Sequence, residues 1–173
     1  MRRVACAAAV LLAGCGGEKA PGRVVGDAFM AQNIDQQIDL DSLPVHLLRT
    51  EETLDSTLAP LCPPRGAGDT PPPPEAWARG WEARKAILRP LVLRSVATND
   101  QAQFAIDSVP PGEYLVWADT VLSERRWTWL APIRVRSGDT VRINLTNDNS
   151  DENYLRCGPS KTAAEGSPTS AKQ

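Results

Sequence analysis

The C-terminal half of the chain alternates apolar and polar residues with the two-residue period of a half-buried β-strand. In residues 133–136 and 141–146, every second residue is Val, Ile or Leu, and the residues between them are Arg, Asn or Thr. One face of each predicted strand is therefore buried and the other faces water. Trp127 and Trp129 have the same parity as Ile133, so both are predicted to lie on the buried face.

Seven short segments rich in β-branched and aromatic residues are bounded by turn-forming residues. They are residues 23–31, 43–50, 91–98, 103–106, 113–119, 127–136 and 141–146. A polar, acidic connection is predicted over residues 35–42. Short strands with frequent turns favour an all-β sandwich, and a length of 173 residues suits one such domain.

A proline-rich insertion over residues 51–90 separates the early strands from the later ones. Its prolines are predicted to form an extended spacer, and residues 75–89 are predicted to form a short helix. One face of this helix carries Trp77, Trp81, Arg84 and Leu88. The arginine interrupts a stripe that is otherwise apolar.

The N-terminus has the pattern of an export signal, because two arginines precede an apolar run too short to span a bilayer. This signal peptide is predicted over residues 1–14. It leads into Leu-Ala-Gly-Cys, which resembles the lipobox of bacterial lipoproteins. The resemblance implies that Cys15 is acylated and becomes the first residue of the mature chain. Residues 15–21 are then a lipidated tether, and Gly16 favours the outer membrane, facing the periplasm.

The remaining cysteines indicate a disulfide. With the first cysteine removed in the signal and Cys15 lipidated, Cys62 and Cys157 are the pair left in the mature chain. An oxidising envelope favours their disulfide, to which the chain-entropy model assigns about 4 to 5 kcal/mol, and two free thiols are the alternative. The folded domain is predicted over residues 22–157, followed by a disordered tail over residues 158–173.

Two motifs in the middle of the chain resemble the signature T-D-x-x-G-x-F … V-P-P-G-x-Y of carboxypeptidase regulatory-like domains. They are Thr-Asn-Asp-Gln-Ala-Gln-Phe at residues 98–104 and Val-Pro-Pro-Gly-Glu-Tyr at residues 109–114. The opening Gly-Arg-Val-Val-Gly at residues 22–26 is similar to that family's first strand. The resemblance extends to about residue 149 and implies a single seven-stranded transthyretin-like, Ig-like β-sandwich with an inserted Pro-rich loop and one short helix. The chain departs from the signature at residues 101–103, where a turn glycine is usual.

The strand after the Pro-Pro-Gly corner carries apolar side chains on both faces. The resemblance places its tyrosine in the interior, which implies that Leu115 and Trp117 face outward and need a cover. The helix that carries Trp77 and Trp81 is predicted to dock there. If this face is open instead, these four residues become the candidate ligand or partner surface, with the tryptophans as a platform for a carbohydrate or a peptide.

Catalytic and metal-binding motifs are sparse. His46 is the only histidine, and its position between Val45 and Leu47 in a strand predicts that it points outward, away from them. No nucleophile motif, phosphate loop or zinc ligand set accompanies it, so the chain is predicted not to be an enzyme and to need no cofactor. Two acidic clusters carry oxygen ligands suited to calcium but lack the spacing of an EF-hand loop, so turn roles are predicted. These clusters contain Asp35, Asp39 and Asp41, and Asp148, Asp151 and Glu152.

The charge balance of the chain excludes one class of partner. A net charge of -2, from 19 basic and 21 acidic residues, predicts no nucleic-acid partner. A related module, the pilin and adhesin B-type domain, shares P-G-x-Y and carries a lysine isopeptide bond, but the first strand here has Arg23 instead of a lysine. The sequence predicts a membrane-anchored, non-catalytic envelope lipoprotein that acts as a binding or scaffolding module, with an envelope protein or a glycan as partner.

Overall fold

The computed structural model describes residues 19–33, 36–61, 74–122 and 125–152, apart from the side chains of residues 32, 33, 74, 77, 151 and 152. The predicted signal peptide, Cys15, Cys62, Cys157 and the predicted tail lie outside these residues, and so does Asp35. Within the described ranges, no helix is long and apolar enough to cross a membrane.

The described residues form ten strands and two α-helices rather than seven strands and one helix. In chain order they are β1 Gly22–Asp27, β2 Phe29–Asn33, β3 Gln36–Asp39, β4 Pro44–Arg49, α1 Leu54–Leu58, α2 Pro74–Leu88, β5 Val92–Ala97, β6 Gln103–Val109, β7 Gly112–Leu122, β8 Arg125–Val135, β9 Thr140–Arg142 and β10 Asp151–Glu152. The seven-strand count is therefore not confirmed, and the short helix α1 was not predicted.

The predicted first strand is divided where Ala28 bridges to Leu145 in the C-terminal part of the chain. This contact ends β1, and the chain continues as the two-stranded ribbon of β2 and β3. The predicted polar connection over residues 35–42 is thus wrong for β3, whose polar side chains are mostly exposed. A ribbon of this kind has no apolar period that a sequence pattern would detect.

Two sheets face each other across one apolar core, which is the arrangement of a β-sandwich. The larger sheet has the order β10-β8-β7-β4-β5 with antiparallel neighbours, and the smaller has the order β6-β1-β9 with a parallel β1–β9 pair. The core draws side chains from both sheets, including Val24, Val45, Ile106, Val116 and Trp129. Its inward residues follow the two-residue period of the strands.

β7 is the central strand of the larger sheet. It begins at the Pro-Pro-Gly corner, which Tyr114 closes by donating its hydroxyl hydrogen to the Pro110 carbonyl at 2.8 Å. Tyr114 and Val116 belong to the core between the sheets, while Leu115 and Trp117 belong to a second apolar cluster on the opposite face. The prediction that this strand is apolar on both faces is confirmed.

The turn between β5 and β6 forms without the glycine that is usual in the resembled signature. Ala102 takes the left-handed conformation, with φ at 55°. The Asn99 carboxamide oxygen accepts hydrogen bonds from the backbone N–H groups of Gln101 and Gln103, at 3.0 and 2.8 Å. These local bonds support the left-handed residue, as Asx turns do elsewhere.

Candidate functional site

Helices cover the outer face of the five-stranded sheet. Residues of α1 and α2 pack on sheet residues in one apolar cluster, which contains Leu48, Leu54, Leu58, Trp81, Leu88, Leu91, Leu115, Trp117 and Leu130. The prediction that the insertion docks over Leu115 and Trp117 is therefore confirmed. A side chain of this size that leaves water contributes about 1.5 to 3 kcal/mol, so the cover is a stable part of the fold.

The candidate surface of tryptophans and Leu115 is consequently not an exposed surface. Trp81, Leu115 and Trp117 are 9%, 5% and 3% exposed, because the helical layer and the sheet bury one another. Trp77 belongs to α2, and its side chain lies outside the described part of the chain. A carbohydrate or peptide therefore has no access to Trp81 or Trp117 in this arrangement.

Two cationic side chains of the protein lie over the ring of Trp81. Lys85 Nζ lies 3.8 Å and Arg126 Cζ lies 4.1 Å from the ring centroid, within the range of cation–π attraction. Arg84, which interrupts the predicted stripe, is buried and donates to the Leu58 carbonyl of α1 at 3.4 Å. The indole N–H groups of Trp81 and Trp117 are buried without a hydrogen-bond partner among the described residues. Packing, cation–π contacts and the Arg84–Leu58 hydrogen bond therefore hold this layer.

His46 lies on the outer face of the larger sheet, as predicted, but it is not a freely solvated side chain. Its Nδ1 is 2.7 Å from the Ser95 hydroxyl, and its ring centroid is 4.7 Å from that of Trp117. Burial lowers the pKa of His46, and the negative charge of Asp119 partly opposes this. The imidazole is thus held mainly neutral at neutral pH.

Asp119 acts on His46 through its negative charge. Within the described residues, the two side chains share no hydrogen bond. Burial raises the pKa of Asp119, against the opposing charges of Lys85 and His46. The described residues contain no group of three or more His, Cys, Asp or Glu side chains that could hold a metal ion.

The asparagines near the second acidic cluster serve the fold. The Asn147 side chain clamps Ala31, accepting from its N–H at 2.7 Å and donating to its carbonyl at 3.0 Å. Asn149 forms a capping box with Thr146 and donates to the Asn144 carbonyl at 2.7 Å. Asn147 thus ties residues 146–149 to β2, whereas the bonds of Asn149 lie within the turn, which accords with the turn roles predicted for this region.

A groove of about 570 Å³ lies on the outer face of the three-stranded sheet. Side chains that alternate with the core residues line it in three columns, one from each strand. They are Gln103 and Ala105 of β6, Arg23, Val25 and Asp27 of β1, and Thr140 and Arg142 of β9. Ala97 at the end of β5, Asn99 in the turn after it, Gly26 and Phe104 complete the lining. No helix of the described residues is packed on this face, which distinguishes it from the outer face of the larger sheet.

An ion pair stands at each end of the groove, and small aliphatic side chains form its middle. Arg23 Nε is 2.7 Å from Asp107 Oδ1, and Arg142 Nη1 is 3.0 Å from Asp27 Oδ2. Val25 on β1 pairs with Ala105 on β6, and both are half-buried. The groove therefore combines a shallow apolar floor with hydrogen-bond donors and hydrogen-bond acceptors.

The side chains of Gln103 and Thr140 make no hydrogen bond within the described part of the chain, and both are exposed. They add an amide and a hydroxyl that are available to a ligand. Sequence reasoning missed this site. Alternation in β1 does place Arg23, Val25 and Asp27 on one wet face, but it does not reveal which strands lie beside β1.

The sequence matches no known protein-family model and no curated protein. Among solved structures, a candidate carbohydrate-binding protein of Pseudomonas aeruginosa is similar at 13% identity and a TM-score of 0.46, over 75% of this chain and 90% of that chain. The minor pilin of Streptococcus agalactiae is similar at 8% identity and a TM-score of 0.38, over 73% of this chain and 44% of that chain. The shaft pilin of Lactobacillus rhamnosus GG is similar at 11% identity and a TM-score of 0.37, over 73% of this chain and 49% of that chain.

Proposed function

We propose that this chain is a membrane-anchored, non-catalytic envelope lipoprotein whose β-sandwich is a binding or scaffolding module. The observation that supports it best is the groove on the smaller sheet. The larger sheet has its outer face covered by α1 and α2, whereas the groove leaves polar side chains of three strands open to a partner. Its volume lies within the range of about 300 to 1,000 Å³ typical of ligand sites.

Incorporation of a photoreactive amino acid tests the groove as the binding surface. Placed at Gln103 in the groove, it is expected to yield a discrete crosslinked product in envelope preparations. Placed at Gln37, an exposed residue on β3, it is expected to yield none. Equal products from the two positions, or none from either, would contradict the assignment of the groove.

The anchor rests on the export signal and the lipobox-like motif. In this proposal Cys15 carries the lipid, residues 15–21 tether the domain, and the protein lies at the outer membrane facing the periplasm. Cells fed a fatty-acid analogue are expected to label the protein, and Cys15→Ala is expected to remove the label. Cys6→Ala, within the signal, is the matched control and should keep it. Undiminished label on Cys15→Ala would refute the anchor.

A disulfide between Cys62 and Cys157 belongs to the same proposal, because an oxidising envelope favours it. The mass of the mature protein is expected to increase by two hydrogen atoms on reduction. Alkylation before reduction should leave both cysteines unmodified. Two alkylated thiols in the unreduced protein would reject the pairing.

We also assign the sandwich to the carboxypeptidase regulatory-like family. The V-P-P-G-x-Y corner supports this assignment, since Tyr114 has a structural role there through its bond to Pro110. An experimental structure tests it. A strand order that differs from that of transthyretin-like domains would overturn the family assignment while leaving the β-sandwich intact.

A further inference from the structure

The two ion pairs at the ends of the groove are each neutral. At one end the Arg23 guanidinium pairs with Asp107, and at the other the Arg142 guanidinium pairs with Asp27. Each pair cancels its own charge, while the Arg94 guanidinium, which donates to the Asp107 carbonyl, adds one positive charge beside the first pair. A charged polymer would need a run of charges of the opposite sign, and a single additional guanidinium does not supply one.

Each pair nevertheless keeps hydrogen-bonding capacity. Arg23 uses Nε and Arg142 uses Nη1, which leaves the other guanidinium N–H groups without a partner among the described residues. The carboxylates of Asp107 and Asp27 keep acceptor positions. A donor and an acceptor therefore stand side by side at both ends of the groove.

This juxtaposition fits neighbouring hydroxyl groups. A hydroxyl group both donates and accepts, so one hydroxyl of a vicinal pair can donate to a carboxylate while the next accepts from the adjacent guanidinium. The Gln103 amide and the Thr140 hydroxyl extend the same double capacity along the walls. Hydrogen bonds to charged groups are stronger than those between neutral groups, so an uncharged ligand gains this advantage from the charged side chains of the protein.

The shape of the groove favours a short chain of rings. From Arg23 to Asp27 the strand advances about 13 Å, at roughly 3.3 Å per residue. The floor of Val25 and Ala105 is low and aliphatic, which suits the C–H face of a sugar ring. A single monosaccharide would not reach both ion pairs, whereas a short oligosaccharide would.

An extended peptide fits this face less well. Peptides that add to a sheet pair their backbone with an exposed strand edge. β1 lies between β6 and β9, so its backbone groups already serve ladders on both sides. A ligand on the face must therefore be recognised by side chains alone, as a polyhydroxylated ligand is.

We infer that the groove formed by Arg23, Asp27, Gln103 and Arg142 binds a neutral oligosaccharide. This inference rests on the proposed function of the groove as the binding surface, and it names the class of ligand. It also moves the predicted glycan contact away from the tryptophans, which are buried, to polar side chains on the opposite sheet.

Calorimetric titration of the mature protein tests the inference with three neutral probes: cellotriose, maltotriose and the trimer of N-acetylglucosamine. At least one is expected to bind, with an affinity that changes by less than about twofold between low and high salt, because the neutral probe carries no charge whose attraction salt could screen. Arg23→Gln and Asp27→Asn are each expected to weaken binding by about tenfold, the loss of one bond to a charged group. Gln37→Ala, outside the groove, is the control and should bind normally.

Both variants break ion pairs whose arginines are solvent-exposed, and such pairs contribute little to stability, so near-ultraviolet circular dichroism should remain unchanged. The inference is overturned if none of the three neutral probes binds, or if trigalacturonic acid binds better with a steep salt dependence. In either case a product from the photoreactive residue at Gln103 would leave the groove's proposed function standing. Loss of that product as well would reject both.

Discussion

Gly26→Ala is expected to separate residues 143–145, which follow β9, from β1. A Cβ at this position would lie 1.7 Å from the carbonyl oxygen of Ile143 and 2.7 Å from Cζ of Phe104. The neighbouring backbone must move by about 1.3 Å to restore a separation of 3.0 Å, the lower limit of real Cβ contacts. Because the closest atom belongs to the backbone, a side-chain rotation cannot relieve the contact.

The loss of stability follows from the hydrogen bonds that this movement would break. Ile143 N–H donates to Val25 at 2.9 Å and Leu145 N–H donates to Asp27 at 2.8 Å, and both bonds join the segment to β1. Each is worth about 1 kcal/mol net, and overpacking a well-filled core adds roughly 1 to 3 kcal/mol. We therefore expect the free energy of unfolding to fall by about 3 to 5 kcal/mol.

Urea unfolding at equilibrium measures this change, provided that the slope of the transition is the same in both proteins. Gly138→Ala is the matched control. A Cβ there meets nothing within 4 Å, and only its φ of 74° disfavours a side chain, at about 1 to 2 kcal/mol. If Gly26→Ala costs no more than Gly138→Ala, the close approach of Ile143 does not constrain the fold and the reasoning fails.

Three further predictions use the same assay. Tyr114→Phe removes the bond to Pro110 and should cost about 1 kcal/mol, and an unchanged midpoint would show that the corner does not need the hydroxyl. Asn147→Ala removes both bonds to Ala31 and should cost about 1 to 3 kcal/mol, more than Asn147→Asp, which keeps the acceptor. Because burial lowers the pKa of His46, its contribution to stability is complete above pH 6.5 and is lost as the pH falls through the folded pKa. His46→Gln should therefore flatten the fall in urea midpoint below pH 6.5, and a parallel fall in both proteins would contradict this.

Much of the core follows from which face of a strand each residue occupies. Alternation correctly assigned Trp129 and Val135 to the core, where they are 0% and 2% exposed. The apolar residues on both faces of β7 required a cover, and α2 supplies it. These predictions succeeded because burial of one face depends on the local period of the chain, which the sequence displays directly.

Sequence reasoning did not find the groove, because its residues come from strands that are distant in the chain. Arg142 and Asp27 form their ion pair across 115 positions, through the parallel pairing of β1 with β9. Alternation shows that Arg142 is outward, which alone suggests only a solvated arginine. The partner that stands beside it depends on strand order.

By itself, the sequence determined that the fold is mostly β, and it determined the buried faces, the reversal at the Pro-Pro-Gly corner and the need to cover Leu115 and Trp117. Only the tertiary structure decided that β1 lies between β6 and β9 and that the tryptophans are enclosed. The physical reason is the range of the interactions. Side-chain period and turn stereochemistry act within a few residues, whereas strand pairing is decided by how well the whole core packs.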